Sequence, residues 1–241
     1  MVLEFRKVNP ETDFPALARC FFESYEDPPQ KFFHAWFPIH GDGTEAREAA
    51  IAEAATRLRT WQAQDPTMHW HQVIDTDTGR VAGGALWNVH TENPFASEEH
   101  MEASWFPDDG SRRYVEQVLE QHGAPRARVG QRPQVYLFII FTHADYRRKG
   151  VAQQFMNWGI AKADELGVEM FLDSTEIGRP FYEANGFIYV EKNVIRPQTD
   201  TPDEAWKETV KKAGDHSDWW LMWRPVGGKY EEGTPKPWEK S

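Results

Sequence analysis

The chain has 241 residues, 40% of them hydrophobic and 14% aromatic, which is enough apolar material for one large core or two small ones. Its 27 lysines and arginines against 38 aspartates and glutamates leave a net charge of −11, which suits a cationic small substrate and argues against a nucleic-acid partner. The single cysteine, Cys20, excludes an intrachain disulfide and a cysteine-built zinc site. No run approaches the roughly 18 apolar residues of a membrane helix, and the first residues lack a secretory-type apolar stretch. The expectation is therefore a reducing, cytoplasmic setting with no membrane and no nucleic acid.

In chain order, "VLEFRKV" (2–8) alternates as a first strand. Asp13 is placed to cap a helix whose apolar face carries Phe14, Leu17, Ala18, Phe21 and Tyr25, and "DPP" at 27–29 ends it. "KFFHAWFPI" reads as a short helix or a lining loop, and 44–64 as a helix with Ala50, Ile51, Ala54, Leu58 and Trp61 along one side. "MHWHQVID" (68–75), the turn "TDTG" and "RVAGGALWNVH" (80–90) form a hairpin. Residues 92–132 are an excursion with a helix at about 111–122 followed by a Gly/Pro/Arg-rich linker. "QVYLFIIF" (134–141) is a continuous apolar run, hence a strand buried on both faces. A helix then runs from about Lys149 to Leu166, followed by a strand at 168–173 and a short helix at 179–187 stopped by Gly186. "FIYVEKNVI" and "DWWLMWRPV" are late strands with a small helix near 203–213 between them, and the tail 227–241 is expected to be poorly ordered. The order predicts a mixed α/β domain over 1–226, with a parallel strand–helix–strand crossover at 134–173.

The junction "FTHADYRRKGVAQQF" carries the most chemistry. A buried strand that stops before a glycine-containing turn and a helix presents backbone N–H groups without intrahelical partners, at the positive end of the helix dipole. Such a start favours an anion, and Gly150 and Ala152 keep the approach to the backbone open. Arg147, Arg148 and Lys149 oppose the dipole there, a conflict that a bound anion removes. Neither the dinucleotide nor the mononucleotide glycine pattern is present, so phosphate cradling would be of another kind.

Arg147-Arg148-Lys149-Gly150-Val151-Ala152 resembles the [QR]-x-x-G-x-[GA] signature of the GNAT family of acetyl-CoA-dependent N-acetyltransferases. Tyr182-Glu183-Ala184-Asn185-Gly186-Phe187 is similar to that family's Y-E-x-x-G-F element, and "FLDSTEIGRPFYEANGF" to its strand-then-helix passage. The resemblance is sharp over about 134–190, topological elsewhere, and nearest to fungal-type members with an aromatic N-terminal helix pair. It departs at Ala152, where glycine is common, and at Ala144, where proline is frequent.

The resemblance implies a single-domain acyl-CoA N-acyltransferase fold with a helical N-terminal insertion, and direct acetyl transfer from acetyl-CoA to an amine. It implies donor binding by Phe141, Thr142, Arg147, Arg148, Lys149, Gly150, Val151 and Ala152, with Thr175 where a small hydroxyl residue is common. Backbone N–H groups at 147–152 would hold the diphosphate, and the strand end at Phe141 and Thr142 would hold the pantetheine arm and polarise the thioester. Tyr182 becomes the acid that protonates the departing thiolate. An alkyl ammonium must first lose a proton, for which Asp173, His143, Glu26 and His34 are candidates. Phe32, Phe33, Trp36, Phe37, Trp87 and Trp105 are expected to wall an acceptor pocket together with Glu26, holding a cationic or aromatic amine. Cys20 reads as core, and no metal is called for. The acceptor is expected to be a small-molecule primary amine, with a homodimer as one option for assembly. A peptide or protein acetyltransferase and a non-catalytic acyl-CoA-binding module are the alternatives.

Overall fold

The computed structural model describes residues 1–97 and 102–239. The elements in chain order are β1 (Leu3–Lys7), α1 (Phe14–Glu26), α2 (Phe33–Trp36), α3 (Gly43–Gln64), β2 (Met68–Asp75), β3 (Arg80–His90), α4 (Gly110–Val129), β4 (Gln134–Thr142), α5 (Val151–Leu166), β5 (Glu169–Ser174), α6 (Arg179–Glu183), β6 (Ile188–Ile195), α7 (Glu204–Ala213) and β7 (Ser217–Arg224). Hydrogen-bonded neighbours run β1-β2-β3-β4-β5-β7-β6 in one mixed seven-stranded sheet. No described helix is long and apolar enough to cross a membrane.

The chain divides into two compact units, Met1–Val89 with Leu137–Ala161, and His90–Tyr136 with Lys162–Ser241. In the first unit, β1 pairs antiparallel with β2 and β2 with β3, from Met68 opposite Asn88 to Asp75 opposite Arg80. Its core collects Phe14, Leu17, Phe21, Phe22, Phe33, Phe37, Ile51, Leu58, Trp70 and Phe141. The apolar spacing of α1 and α3 puts Phe14, Leu17 and Phe21 of α1 and Ile51 and Leu58 of α3 on core-facing stripes, and edge-to-face pairs such as Phe21–Phe37 at 4.8 Å add ring contacts to that core. Asp13 precedes α1 but does not cap it: its carboxylate takes the Asn9 N–H at 2.8 Å and the Gln72 amide, so side-chain capping is lost to contacts with its neighbours.

In the second unit, β7 is central, antiparallel to β5 on one side and β6 on the other. Helix α4 is longer than the sequence predicts, continuing through Pro125 to Val129. A proline inside a helix removes one hydrogen bond and strands the carbonyl four residues earlier. That carbonyl, of Gln121, accepts the Asn193 side-chain N–H at 2.8 Å from β6, so a tertiary partner satisfies what the helix cannot. The tail, expected to lack order, carries the rings of Tyr230 and Trp238 at 5.8 Å and 5.1 Å from Trp223.

Candidate functional site

The first unit holds the junction after β4. Two adjacent glycines of β3 decide how closely it packs. A Cβ on Gly83 would lie 2.5 Å from the Phe141 carbonyl oxygen and 2.9 Å from Val151, and one on Gly84 would lie 2.6 Å from the Phe141 ring. Their bare backbones let the end of β4 and the first residue of α5 lie against β3. The pair was visible in "RVAGGALWNVH", but nothing local distinguished close packing from a bulge.

Beyond Thr142 the chain leaves the ladder. The His143 N–H donates to Ala82 O at 3.0 Å, and a single 3-10 turn follows at Ala144–Tyr146. Tyr146 is buried and donates to Asp75 Oδ2 at 3.0 Å, and Arg80 pairs with Asp145 at 3.1 Å. Arg148 then takes the left-handed conformation at φ 59°, and Gly150 at φ 79°. A non-glycine residue there costs roughly 1–2 kcal/mol, a strain that collects at ligand-binding turns. Arg148, Lys149 and Gly150 are exposed, and α5 starts at Val151 with no acidic residue in its first turn.

The three cations are not equivalent. Arg147 turns back onto α1, donating to Ser24 O at 3.2 Å and to Asp27 O. It thereby satisfies carbonyls at the negative end of that helix, a favourable place for a cation. Arg148 and Lys149 remain exposed, with Lys149 Nζ 5.5 Å from the centre of the Tyr146 ring. His143 lies 3.5 Å from Glu23 and 3.6 Å from Asp145, with Nδ1 accepting the Asp145 N–H at 3.2 Å.

Three expected pocket residues are core instead. Trp87 is fully buried, with the Trp158 ring at 6.3 Å, and Phe33 stacks on Tyr25 at 4.8 Å with Phe21 at 5.0 Å. Both fill the interior because a large ring gains most where water is excluded. Phe37, too, is core. Phe32 and Trp36 stay partly exposed, Trp36 edge-on to Phe138 at 5.7 Å. Glu26 forms a two-pronged pair with Arg47, 2.7 Å at each oxygen. Cys20 is buried, which pushes its thiol up to about 12 and makes it inert, as expected of core.

The second unit holds the β5–α6 passage. Thr175 Oγ1 accepts the Gly178 N–H at 3.3 Å, forming the turn into α6. Gly178 sits close to Tyr182, since a Cβ there would meet the ring at 3.0 Å. Tyr182 is 8% exposed, between Phe181 at 5.4 Å and Phe187 at 6.1 Å; α6 ends at Glu183, earlier than the sequence predicts, with Ala184 as its cap, and Gly186 takes φ 83° in the turn beyond.

Asp173 lies near the end of β5. Its side chain is only 3% exposed and accepts the Tyr136 hydroxyl at 2.9 Å. His122 Nε2 lies 4.0 Å from the same oxygen, and the Arg126 guanidinium 3.6 Å from the Tyr136 ring centre. Burial and the adjacent Asp173 charge push the Tyr136 hydroxyl well above its ordinary range. Burial lowers His122, Asp173 partly opposes this, and Arg126 adds to it. Sequence reading singles out none of Tyr136, His122 or Arg126, because only long-range packing brings these elements to Asp173. Among the described residues, no group of three or more His, Cys, Asp or Glu side chains is arranged to hold a metal ion.

A family model described as an acetyltransferase (GNAT) domain matches residues 114–189. No curated protein sequence matches the chain. Among solved structures, a polyamine N-acetyltransferase of Drosophila melanogaster is 11% identical, with 93% of this chain and 100% of that chain covered and a TM-score of 0.61. A mosquito arylalkylamine N-acetyltransferase-like protein is 11% identical over 92% and 99% of the chains, TM-score 0.55. A histone acetyltransferase HPA2-related protein of Corynebacterium glutamicum is 18% identical over 96% and 99%, TM-score 0.54. At these identities the likeness is one of fold.

Proposed function

We propose that this chain, whose residues 114–189 match an acetyltransferase (GNAT) domain, is an N-acetyltransferase with acetyl-CoA as donor and transfers the acetyl group directly to a primary amine of a small molecule. The observation that carries this is the β4–α5 turn, strained at Arg148, open at Gly150 and exposing Arg148 and Lys149 at a helix start. In this reading the backbone N–H groups of 148–152 take the diphosphate, assisted by Arg148 and Lys149. Arg147 holds the turn to α1. Phe141 and Thr142 offer main-chain groups to the pantetheine arm, and Thr175 supports the β5–α6 turn.

The amine nitrogen attacks the thioester carbonyl, the C–S bond breaks, and Tyr182 gives its proton to the thiolate. A phenol, near 10 in water, is protonated at neutral pH and can donate. The amine's own proton leaves to a base, of which Asp173 and His143 are the first candidates. Phe32 and Trp36 suit the acceptor side. A net charge of −11 favours a cationic amine over an anionic one. The cytoplasm is the compartment proposed, as the lone cysteine suggests.

The test is a thermal-shift titration with acetyl-CoA, followed by thiol release across polyamines, aryl amines, amino acids and peptides. Donor at 100 times its Kd should stabilise the fold by about 2.7 kcal/mol. Tyr182→Phe should keep that shift and lose roughly 10²-fold or more in turnover. Absence of any donor shift would overturn the proposal; turnover on peptides alone would reassign the acceptor.

A further inference from the structure

His143 follows the last residue of β4 and precedes the strained part of the junction, and both of its ring nitrogens are engaged. Nδ1 accepts the Asp145 N–H at 3.2 Å, the bond that caps the 3-10 turn at Ala144–Tyr146. A neutral imidazole has one N–H and one lone pair. With Nδ1 as the acceptor, the ring proton sits on Nε2, and Nε2 lies 3.5 Å from Glu23 Oε2 on α1. The main-chain N–H of the same residue donates to Ala82 O of β3 at 3.0 Å.

Its neighbours are anchored in the same manner. Asp145 pairs with Arg80 at 3.1 Å, Tyr146 donates to Asp75 Oδ2 at 3.0 Å, and Arg147 donates to the carbonyls of Ser24 and Asp27. Every residue from His143 to Arg147 except Ala144 thus has a side chain tied to α1, to β3 or to the end of β2. The left-handed Arg148 comes immediately after this anchored run.

We propose that His143 is a positioning residue for the donor: Nδ1 sets the first bend of the β4–α5 turn, and the Nε2–H ties that bend to α1 through Glu23. This rests on the N-acetyltransferase reading above and deepens it, because it takes His143 out of the candidates for the base. A base needs an available lone pair, and the one lone pair of this neutral ring is committed to the Asp145 N–H. A turn already held in its binding form spares the donor the cost of ordering it. Where only a fraction of molecules has the competent turn, the apparent Kd rises by the inverse of that fraction.

The test measures the Kd of acetyl-CoA by isothermal titration, and kcat and KM with an alkyl amine, for the wild type, His143→Ala and His143→Asn. The Asn oxygen stands where Nδ1 stands and caps turns well, but it is no base. His143→Ala should raise the donor Kd and KM roughly three- to tenfold, the worth of one hydrogen bond, with kcat at saturating donor within about twofold of wild type. His143→Asn should bring the donor Kd back to within about twofold of wild type. Glu23→Ala on top of His143→Ala should add nothing, since the two side chains act as one tie, and fully additive losses would overturn the proposal. A loss of roughly 10²-fold or more in kcat in both His143 variants would mark the base and overturn it as well. So would a His143→Asn protein that binds donor no better than His143→Ala.

In the unliganded chain, hydrogen exchange at the Asp145 amide should quicken in His143→Ala and stay slow in His143→Asn; an unchanged rate in His143→Ala would overturn the cap. Should His143→Ala not fold, His143→Gln replaces it, because its carbonyl reaches toward the Nε2 position and leaves the Asp145 N–H without its acceptor. A wild type that binds no acetyl-CoA would overturn the parent reading and this one together. Wild-type donor binding that none of the variants alters would overturn this one alone.

Discussion

Arg147 and Arg148 are adjacent and chemically identical, yet they do different work. Arg147 spends its guanidinium on the carbonyls of Ser24 and Asp27, whereas Arg148 is held at φ 59° with its side chain exposed. The first bonds the fold in the absence of any ligand. Arg147→Ala should therefore lower the stability of the unliganded chain by about 1–2 kcal/mol, toward the low end because the site is only partly buried. Urea denaturation checks this, and an unchanged midpoint would return Arg147 to the donor side. The run "RRKG" announced a basic turn at a helix start, but which cation faces inward was decided by where α1 ends, more than 100 residues earlier, and no local pattern encodes that.

At the scale of the element, α4 is the instructive case. Its Gly/Pro/Arg-rich second half reads as a linker, because Pro125 costs a helix about 3 kcal/mol in isolation. The helix persists because Asn193 accepts the task of satisfying Gln121 O, and Gln121 and Gln117 in turn take the backbone N–H groups of Arg196 at 2.7 Å and Gln198 at 2.8 Å. Asn193→Ala should cost about 1 kcal/mol by leaving that part-buried carbonyl without its donor. Chemical denaturation together with hydrogen exchange along residues 121–129 would show it, and wild-type protection there would refute the account. Without this continuation Arg126 would have no helical position and His122 no fixed one. By contrast β2, β3, β4, β5 and α5 fell within a residue or two of their sequence expectations, because each is a long run whose period already matches its structure.

At the scale of the whole molecule, the proposed function asks an acidic chain to bind an anionic donor. With a net charge of −11, the long-range field repels coenzyme A, and the exposed Arg148 and Lys149 reverse that field locally. The double variant Arg148→Ala/Lys149→Ala should weaken donor binding roughly tenfold or more at low salt, with the gap to wild type narrowing as salt screens exposed charges. Isothermal titration at two ionic strengths checks this, and a salt-independent gap would point to a packing role instead.

The sequence by itself determined the order of strands and helices, and it marked the basic junction at 147–152 and the Tyr182 passage as the candidate sites. These depend on period, turn chemistry and residues close together along the chain. Only the tertiary structure decided that Trp87 and Phe33 are core, that Arg147 is a tie to α1, and that Asp173 has Tyr136 and His122 as neighbours. Those outcomes turn on burial and on side chains brought together from elements far apart in the chain. Their energies come from excluding water and satisfying buried polar groups, quantities that exist only once the chain has closed around them.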